Sequence, residues 1–262
     1  MTVEQLYAFL EERLPRSLCA EWDHDGLACL PHPARPACRV LVALDATEAA
    51  VDHAVSGGFD VLLTHHPLLF RGVQALTPDQ NVSRKLLKLA KAGVAAMSFH
   101  TRLDAVEGGV NDSLAARLGL CNVQAFGPLG EVPCGRIGTL QHPIDVNEFA
   151  ARAAKALNIP AVLAIGAGTV QKIAVLGGEG GDFVQAARDA GAELFLAGRI
   201  GYHRMLDAAE NGLACIEAGH YATEFPVCAH LSELVSAADA AIEMEILSTA
   251  AIRAVCAKGE QE

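Results

Sequence analysis

Two adjacent histidines, His65 and His66, are the first residues whose types and position suggest chemistry. They follow an apolar run with the composition of a buried strand, and Pro67 comes directly after them. Ligands of open α/β sheets bind at the carboxyl ends of the parallel strands. Pro67 ends strand pairing and keeps His66 extended. We therefore expect both imidazoles to face one crevice at the edge of a sheet.

Two further segments place a histidine four residues before a carboxylate. His220 precedes Glu224 in HYATE, and His100 precedes Asp104 in HTRLD. Each pair follows a predicted strand and leads into a predicted helix. Neutral imidazoles and carboxylates are ligands for divalent zinc, manganese, iron and nickel. These segments therefore add candidate metal ligands at two more strand ends.

The candidate ligands converge at one sheet edge if the strands are parallel. They are His65, His66, Asp104, His220 and Glu224. Five ligands are too many for one tetrahedral ion, but they suffice for two ions if a carboxylate bridges and water fills the open positions. The sequence predicts a site for two divalent ions (zinc, manganese, iron or nickel), with Asp104 as the bridging carboxylate.

Two other histidines are candidate catalytic residues. His100 stands at the end of a predicted strand, and His203 closes the repeat of the strand that ends at His66. We expect one of them to serve as a general acid. The alternative for His203, an ordinary histidine without a role in the site, stays open.

The glycine-rich segment GGEGGD, at 177–182, lies between a predicted strand and a predicted helix. Backbone N–H groups of such a loop can contact phosphate. The segment matches neither the dinucleotide-binding fingerprint nor the P-loop. A tight turn explains its glycines equally well, so it is weak evidence for a nucleotide.

Hydrophobic patterning predicts the elements that hold these residues. Strands at 40–45 and 59–66 flank a helix that ends in glycine, and this strand–helix–strand unit implies a parallel sheet. Residues 173–203 repeat 40–70 at a constant offset of 133 positions. The segment 22–30 is predicted to be a loop. We predict an α/β fold of two pseudo-symmetric three-layer halves, with the metal site at the carboxyl edges of the strands.

The chain is predicted to have three parts. Residues 1–118 form the first α/β half, 119–171 a small α+β insertion, and 172–262 the second α/β half. Within the last part, the pattern predicts a strand at 241–248 and a helix at 250–259.

Composition restricts the class of protein. The 262 residues are 52% hydrophobic and 19% charged, which excludes a disordered or fibrous chain. With 20 basic and 31 acidic residues the net charge is −11, so nucleic-acid binding is not expected. The longest uncharged stretch has 16 residues, too few for a membrane span. The eight cysteines include no C-x-x-C pair and are expected to be small buried side chains. Because the N-terminal segment carries Glu4 where a signal peptide is basic, we expect a cytoplasmic protein.

The order and spacing of several blocks resemble the Nif-three-like family of dinuclear metal-centre proteins, also called GTP cyclohydrolase I type two homologues. The blocks are WDHDGL, VALD, LLTHHPLLF, HTRLDAVEGGVND, GGEGGD and GHYATE, and they span nearly the whole chain. The resemblance implies the Nif-three-like fold of two related α/β domains and the same five metal ligands. It also implies a toroidal homo-oligomer, commonly a hexamer.

The chain departs from the family pattern at three places. Arg199 stands where many members have an acidic residue, and Arg102 stands where many have asparagine. His24-Asp25 replaces a pair that is usually Asn-Ser. Because arginine binds phosphate well, two added arginines near the crevice predict a preference for phosphate.

Two functional hypotheses follow. In the first, the protein binds two divalent metal ions and is a metal-dependent hydrolase of a nucleotide-like or phosphorylated small molecule, similar to GTP cyclohydrolase I type two by resemblance. In the second, it is a non-catalytic metal-binding ring with a regulatory or protein-interaction role. A catalytic site keeps exchangeable waters, whereas a structural site is closed by protein ligands. The expected partners are a small-molecule substrate and further copies of the chain, with neither nucleic acid nor membrane.

Overall fold

The computed structural model describes residues 1–130, 132–252 and 255. Within them the chain forms two β-sheets covered by helices. The strands are β1 (Gly26–Cys29), β2 (Arg39–Ala43), β3 (Val61–Thr64), β4 (Ala95–Ser98), β5 (Cys121–Leu129), β6 (Val132–Asp145), β7 (Leu163–Ile165), β8 (Thr169–Glu179), β9 (Leu194–Arg199), β10 (Ala214–Glu217) and β11 (Glu243–Leu247). The α-helices are α1 (Val3–Arg13), α2 (Glu48–Ser56), α3 (Asn81–Ala92), α4 (Thr101–Ala105), α5 (Val110–Leu118), α6 (Val146–Ala156), α7 (Val184–Asp189), α8 (Tyr202–Glu210), α9 (His220–Glu224) and α10 (Val227–Ala238).

The first sheet has the strand order β1-β4-β3-β2-β11. Strands β2, β3 and β4 are parallel, and every residue of β3 and β4 is buried. Parallel strands covered on both faces are continuous apolar runs, which is why the sequence predicts them well. Strand β11 pairs with β2 in parallel, and β1 pairs with β4 in the antiparallel sense.

The second sheet has the strand order β5-β6-β8-β9-β10-β7. Its centre is again a parallel trio, β8, β9 and β10. Strands β5 and β6 extend the sheet on one side and β7 closes the other, all in antiparallel pairings. The central trio therefore presents its carboxyl ends at one edge, as in the first sheet.

The predicted two-half α/β fold is confirmed. Strands β3 and β9 begin 133 positions apart, at Val61 and Leu194, which is the offset found in the sequence. In each half the third parallel strand is followed by a five-residue helix and then a longer one, α4 and α5 in the first half and α9 and α10 in the second. The short helices were not predicted. Gly109 and Pro226 precede the longer helices and separate them from the short ones.

The longer helices cross between the halves. Helix α5 packs against β6 and β8 of the second sheet, and α10 packs against β2 and β11 of the first sheet and against α1. Leu114 of α5 is fully buried in the core of the second sheet, and Leu231 of α10 in that of the first. This exchange holds the carboxyl edges of the two sheets against each other.

Sheet membership adds detail to the predicted three-part division. Strands β5, β6 and β7, from the 119–171 segment, are all hydrogen-bonded into the second sheet. Strand β11 returns to the first sheet. The boundaries at 118/119 and 171/172 stay a prediction about folding units. The predicted helix at 250–259 lies largely outside the described residues.

The described residues show the state of the cysteines and whether any helix could span a membrane. Their seven cysteines are free thiols. Cys134, Cys215 and Cys228 are buried as expected, Cys19 and Cys29 are half-buried, and Cys38 and Cys121 are exposed. Cys38 directly precedes β2, and Cys121 is the first residue of β5. No helix in the described part of the chain combines the length and apolar character needed to cross a bilayer.

Candidate metal centre

His65 lies at the carboxyl end of β3 and is completely buried. Its Nδ1 is 3.0 Å from the carbonyl oxygen of Phe99, so Nδ1 carries the proton and donates it. Burial is the largest cause that lowers the pKa of His65, to about 3, despite the nearby carboxylate of Glu224. The imidazole is therefore neutral, and its Nε2 lone pair has no hydrogen-bond partner. A neutral imidazole with a free lone pair is the form that binds a metal ion.

His66 is oriented by a second carboxylate. Its Nδ1 lies 2.7 Å from Oδ1 of Asp45, which directs Nε2 toward Glu224, 3.1 Å from Oε2. Burial opposes the charged form, but the hydrogen bond with Asp45 and the charge of Glu224 raise the pKa of His66 to about 10. A carboxylate that holds the far nitrogen of a histidine is the usual outer partner of a metal-binding imidazole. Asp45 was not among the predicted site residues.

Helix α9 supplies the other histidine and the central carboxylate. His220 Nε2 lies 3.0 Å from Oε2 of Glu224, one turn later in the same helix. Glu224 is 4% exposed, and its Oε2 is a buried acceptor with no hydrogen bond of adequate geometry. Burial alone would raise the pKa of Glu224, but the surrounding histidines lower it well below its ordinary value.

The five predicted ligands come together in two overlapping triples. One consists of His65, Asp104 and Glu224, the other of His66, His220 and Glu224, and within each triple the ligand atoms lie within 4.8 Å of one another. Glu224 Oε1 faces His65 at 4.0 Å, while Oε2 faces the other two histidines. Glu224 therefore belongs to both triples, and the bridging role of Asp104 stays a prediction. The longer side chain reaches both triples, whereas Asp104 Oδ1 lies 3.6 Å from His65 alone.

The charges of the cluster favour cations. Burial and the negative charge of Glu224 both raise the pKa of Asp104 well above its ordinary value. The unpaired His65 Nε2 points its lone pair toward both carboxylates. Buried groups of this kind are costly without a partner, and a divalent cation would satisfy all of them. The residues present therefore fit two divalent ions.

Glycines of the GGEGGD segment make room for Glu224. Gly178 lies against the Glu224 side chain and has a φ of +67°. A Cβ on Gly178 would lie 2.2 Å from Glu224 Oε1. A Cβ on Gly177 would lie 3.0 Å from Glu224 Cγ. Within this structure the segment therefore serves the carboxylate of the cluster, and its second glycine is needed for both space and backbone conformation.

Polar side chains of both halves support the cluster. Asn111 of α5 accepts a hydrogen bond from the backbone N–H of Gly177 at 2.7 Å and donates to the carbonyl of Asp104 at 3.1 Å. Thr223 accepts from the backbone N–H of Gly178 at 3.1 Å. The contacts of Asn111 connect the two halves, and the contact of Thr223 lies within the second half. Both residues belong to the blocks of the family resemblance, but neither was predicted to act in the site.

The predicted catalytic histidines are placed differently. His100 lies beside the cluster, with its ring centroid 5.3 Å from that of His65, and with His65 and His66 it forms a third group that could hold an ion. Its Nδ1 is 3.1 Å from Oδ2 of Asp23. His203 is exposed on the first turn of α8, where its ring contacts Tyr202. The structure does not bring His203 to the cluster, so a catalytic role for it rests on the sequence alone.

Of the two arginines expected near the crevice, Arg199 is exposed and Arg102 is not. Arg199 Nη1 lies 4.0 Å from Oε1 of Glu179, which is itself 3.9 Å from Nδ1 of His220. Arg102 is fully buried and pairs with Asp25, away from the cluster. The expectation that Arg102 binds phosphate is therefore wrong.

Comparisons with known proteins agree on one family. The model of the Duf34/NIF3 (NGG1p interacting factor 3) family matches residues 1–253. A Streptomyces coelicolor protein named GTP cyclohydrolase 1 type 2 homolog is 35% identical over 236 residues, 86% of this chain and 82% of that protein. A Clostridium perfringens protein of the same name is 32% identical over 90% of this chain and 91% of its own length. A solved Bacillus cereus protein related to NIF3 has a TM-score of 0.87 at 23% identity, covering 97% of this chain and 99% of that one.

Proposed function

The chain belongs to the Duf34/NIF3 family, and we propose that it is a hydrolase of nucleotide-like or phosphorylated small molecules that depends on two divalent metal ions. The observation that carries this proposal is the position of Glu224 between two triples of candidate ligands. The name of the relatives, GTP cyclohydrolase 1 type 2 homolog, supports a hydrolytic reaction on a nucleotide-like compound.

Each ion would have its own histidines. His65 and Asp104 would hold one ion and His66 and His220 the other, with Glu224 shared. Ions held there would supply Lewis acidity and lower the pKa of a water toward neutrality. Zinc, manganese, iron and nickel all accept this ligand set.

His100 is the residue we assign to proton transfer. Burial would raise the pKa of Asp23, but hydrogen bonds from His100 and Thr101 lower it, so Asp23 is a carboxylate that accepts the proton on Nδ1 of His100. This leaves Nε2 of His100 as the nitrogen that would exchange a proton with the substrate. A general acid in that position would protonate the leaving group of the substrate.

The open side of the cluster supports a small-molecule substrate. The side chains of His66 and His220 are 24% and 43% exposed, whereas that of His65 is fully buried. Solvent therefore reaches the candidate ligands from the side of His220. A site built only for structural ions is closed by protein ligands, so this exposure favours the catalytic hypothesis over the non-catalytic ring.

Metal content measured by elemental mass spectrometry on protein purified without a His tag is the test. We expect about two ions per chain in the wild type, about one in Asp104→Asn and almost none in Glu224→Gln, because only the last change affects both triples. The metal-loaded wild type should hydrolyse phosphoesters or nucleotides. His100→Gln should keep its metal and lose most of that activity.

Three results would contradict parts of the proposal. Absence of metal after incubation with zinc, manganese or iron would remove the metal centre. Full loading without turnover of any phosphoester or nucleotide would favour the non-catalytic ring. Loss of metal in His100→Gln would make His100 a ligand. The hexameric ring stays a prediction, which analytical ultracentrifugation would test.

A further inference from the structure

A pair of exposed aromatic rings stands beside the candidate metal centre. Trp22 and Phe70 are 54% and 55% exposed, with ring centroids 6.1 Å apart and planes inclined by 57°. Trp22 is the only tryptophan of the chain, and Phe70 is the one exposed phenylalanine among the described residues. Side chains of this size are usually well buried, so the exposure of two in contact requires an explanation.

His100 connects this pair to the cluster. Its ring centroid lies 6.0 Å from Trp22 and 6.2 Å from Phe70, with its plane inclined to theirs by 72° and 73°. The same ring lies 5.3 Å from His65 and 5.7 Å from His66. The exposed rings therefore lie beside the cluster of candidate ligands, with the side chain of His100 between.

Both rings are anchored by buried neighbours. Asp23, directly after Trp22, is buried and accepts hydrogen bonds from the backbone N–H and the hydroxyl of Thr101 at 3.0 and 2.7 Å. Leu68, two residues before Phe70, is buried in the core beneath the first sheet. The backbone beside both rings is therefore held in place. Binding of a ligand orders fewer groups and costs less conformational entropy.

We propose that Trp22 and Phe70 bind a planar heteroaromatic ring of nucleobase size, which is part of the substrate handled at the metal centre. Exposed aromatic side chains bind bases by stacking with little dependence on which base it is. The inference rests on the proposed function, because it names the substrate class of that site. It places the recognised ring on the first half of the chain, beside His100.

The single tryptophan makes the site directly observable. The metal-loaded full chain, in its native assembly, is titrated with GMP, AMP and ribose 5-phosphate while Trp22 emission is followed. We expect both nucleotides to quench the emission at saturation and ribose 5-phosphate, which lacks the ring, to leave it unchanged. Equal quenching by all three, or none by the nucleotides, would overturn the proposal.

A matched pair of variants separates stacking from general effects on the segment. Phe70→Ala removes one ring, and Leu76→Ala removes an apolar side chain of similar exposure, 59%, from the same irregular segment. Measured by calorimetry, Phe70→Ala should weaken GMP binding by roughly tenfold. Leu76→Ala should bind GMP as the wild type does. Both variants should bind ribose 5-phosphate with wild-type affinity. Equal affinities of the two variants for GMP would overturn the proposal.

Metal content and turnover distinguish this inference from the proposed function. Two ions per chain with equal kcat/KM on ring-free and ring-containing phosphoesters would overturn the ring site and leave the hydrolase. Ring-dependent quenching without any turnover would support the ring site and remove the hydrolase. Trp22 emission that changes with protein concentration alone would make a second copy of the chain the occupant and overturn the proposal.

Discussion

Arg102 and Asp25 form a bidentate ion pair from which solvent is excluded. Nε of Arg102 donates to Oδ2 at 2.9 Å and Nη2 to Oδ1 at 3.0 Å, and neither side chain is exposed. The guanidinium also donates to the carbonyl of Leu14 and lies over the ring of Phe99. The pair ties helix α4, which carries Asp104, to the N-terminal part of the chain.

Removing one member of this pair should be costly. Arg102→Met should lower the free energy of unfolding by about 3–5 kcal/mol, because the buried carboxylate of Asp25 loses its bidentate guanidinium. It would keep the backbone N–H of His100 at 2.7 Å and the more distant Arg16 Nη1 at 3.6 Å. Adding Asp25→Ala should recover part of the loss, so a double-mutant cycle measured by urea unfolding of metal-free protein should show coupling. Arg204→Met, which breaks an exposed pair, should cost at most about 1 kcal/mol. Additive effects of the Arg102 and Asp25 changes would contradict this account.

The same network predicts a pH-dependent effect at Glu11. Burial would raise the pKa of Glu11, but hydrogen bonds from Arg102 and Tyr7 lower it below its ordinary value. A carboxyl whose pKa is lower in the folded chain than in the unfolded chain stabilises the fold at pH values above its unfolded-state pKa, about 4.3. This stabilisation is lost as the pH falls through the folded-state pKa. Glu11→Gln should therefore be less stable than wild type at neutral pH, with the difference vanishing in acid. Thermal unfolding of both proteins from neutral to acidic pH checks this prediction. A difference in stability that does not change with pH would show that the ionised form of Glu11 is not its cause.

The sequence predicts most of the cluster because its ligands follow buried parallel strands. The error at Arg102 has a geometric cause. Residues 102 and 104 are two positions apart in helix α4, where side chains two apart point to opposite sides. Asp104 faces the cluster, so Arg102 faces away. The sequence pattern predicts no helix over residues 101–105, so this rule could not be applied to them.

The sequence also does not predict the carboxylates that orient the histidines or two of the edge strands. Asp45 and Asp23 orient His66 and His100, but their pairing depends on contacts 21 and 77 positions apart, which no local pattern encodes. Strand β1 lies in the segment predicted to be a loop, and β5 was not predicted. Both are edge strands with few fully buried residues, which weakens the hydrophobic signal without abolishing it, since the edge strand β11 was predicted.

Gly178→Ala should damage the candidate metal centre without unfolding the protein. The added Cβ would lie 2.2 Å from Glu224 Oε1, so the carboxylate must move out of the shared position. Gly212→Ala is the matched control, because Gly212 also has positive φ, +83°, but nothing lies within 4 Å of its Cβ position. Each change should cost about 1 kcal/mol of stability for the backbone conformation, and only Gly178→Ala should lose metal. Equal metal content in the two variants would show that Glu224 does not need this space.

Asp45→Asn tests whether the outer partner of His66 matters to the centre. The amide cannot supply the charge that orients and polarises His66, so affinity for one of the two ions should fall by about 10- to 100-fold. Competition with a chromophoric chelator measures both affinities in one experiment. Asp52→Asn, an exposed carboxylate on α2 paired with Lys88, should leave both unchanged. Equal weakening of both ions in Asp45→Asn would indicate a general disturbance of the cluster.

Arg199 should contribute a modest electrostatic term to the binding of anionic ligands. Its guanidinium is exposed and is already near Glu179, beside His220, so we expect Arg199→Ala to weaken inorganic phosphate binding to the metal-loaded protein by about two- to fivefold. The effect should shrink as salt is raised, because charges exposed to solvent are screened. Arg188→Ala removes the same charge from an exposed position on α7 and should leave phosphate binding unchanged. If the two variants bind phosphate equally at low salt, Arg199 acts only through net charge and does not belong to the site.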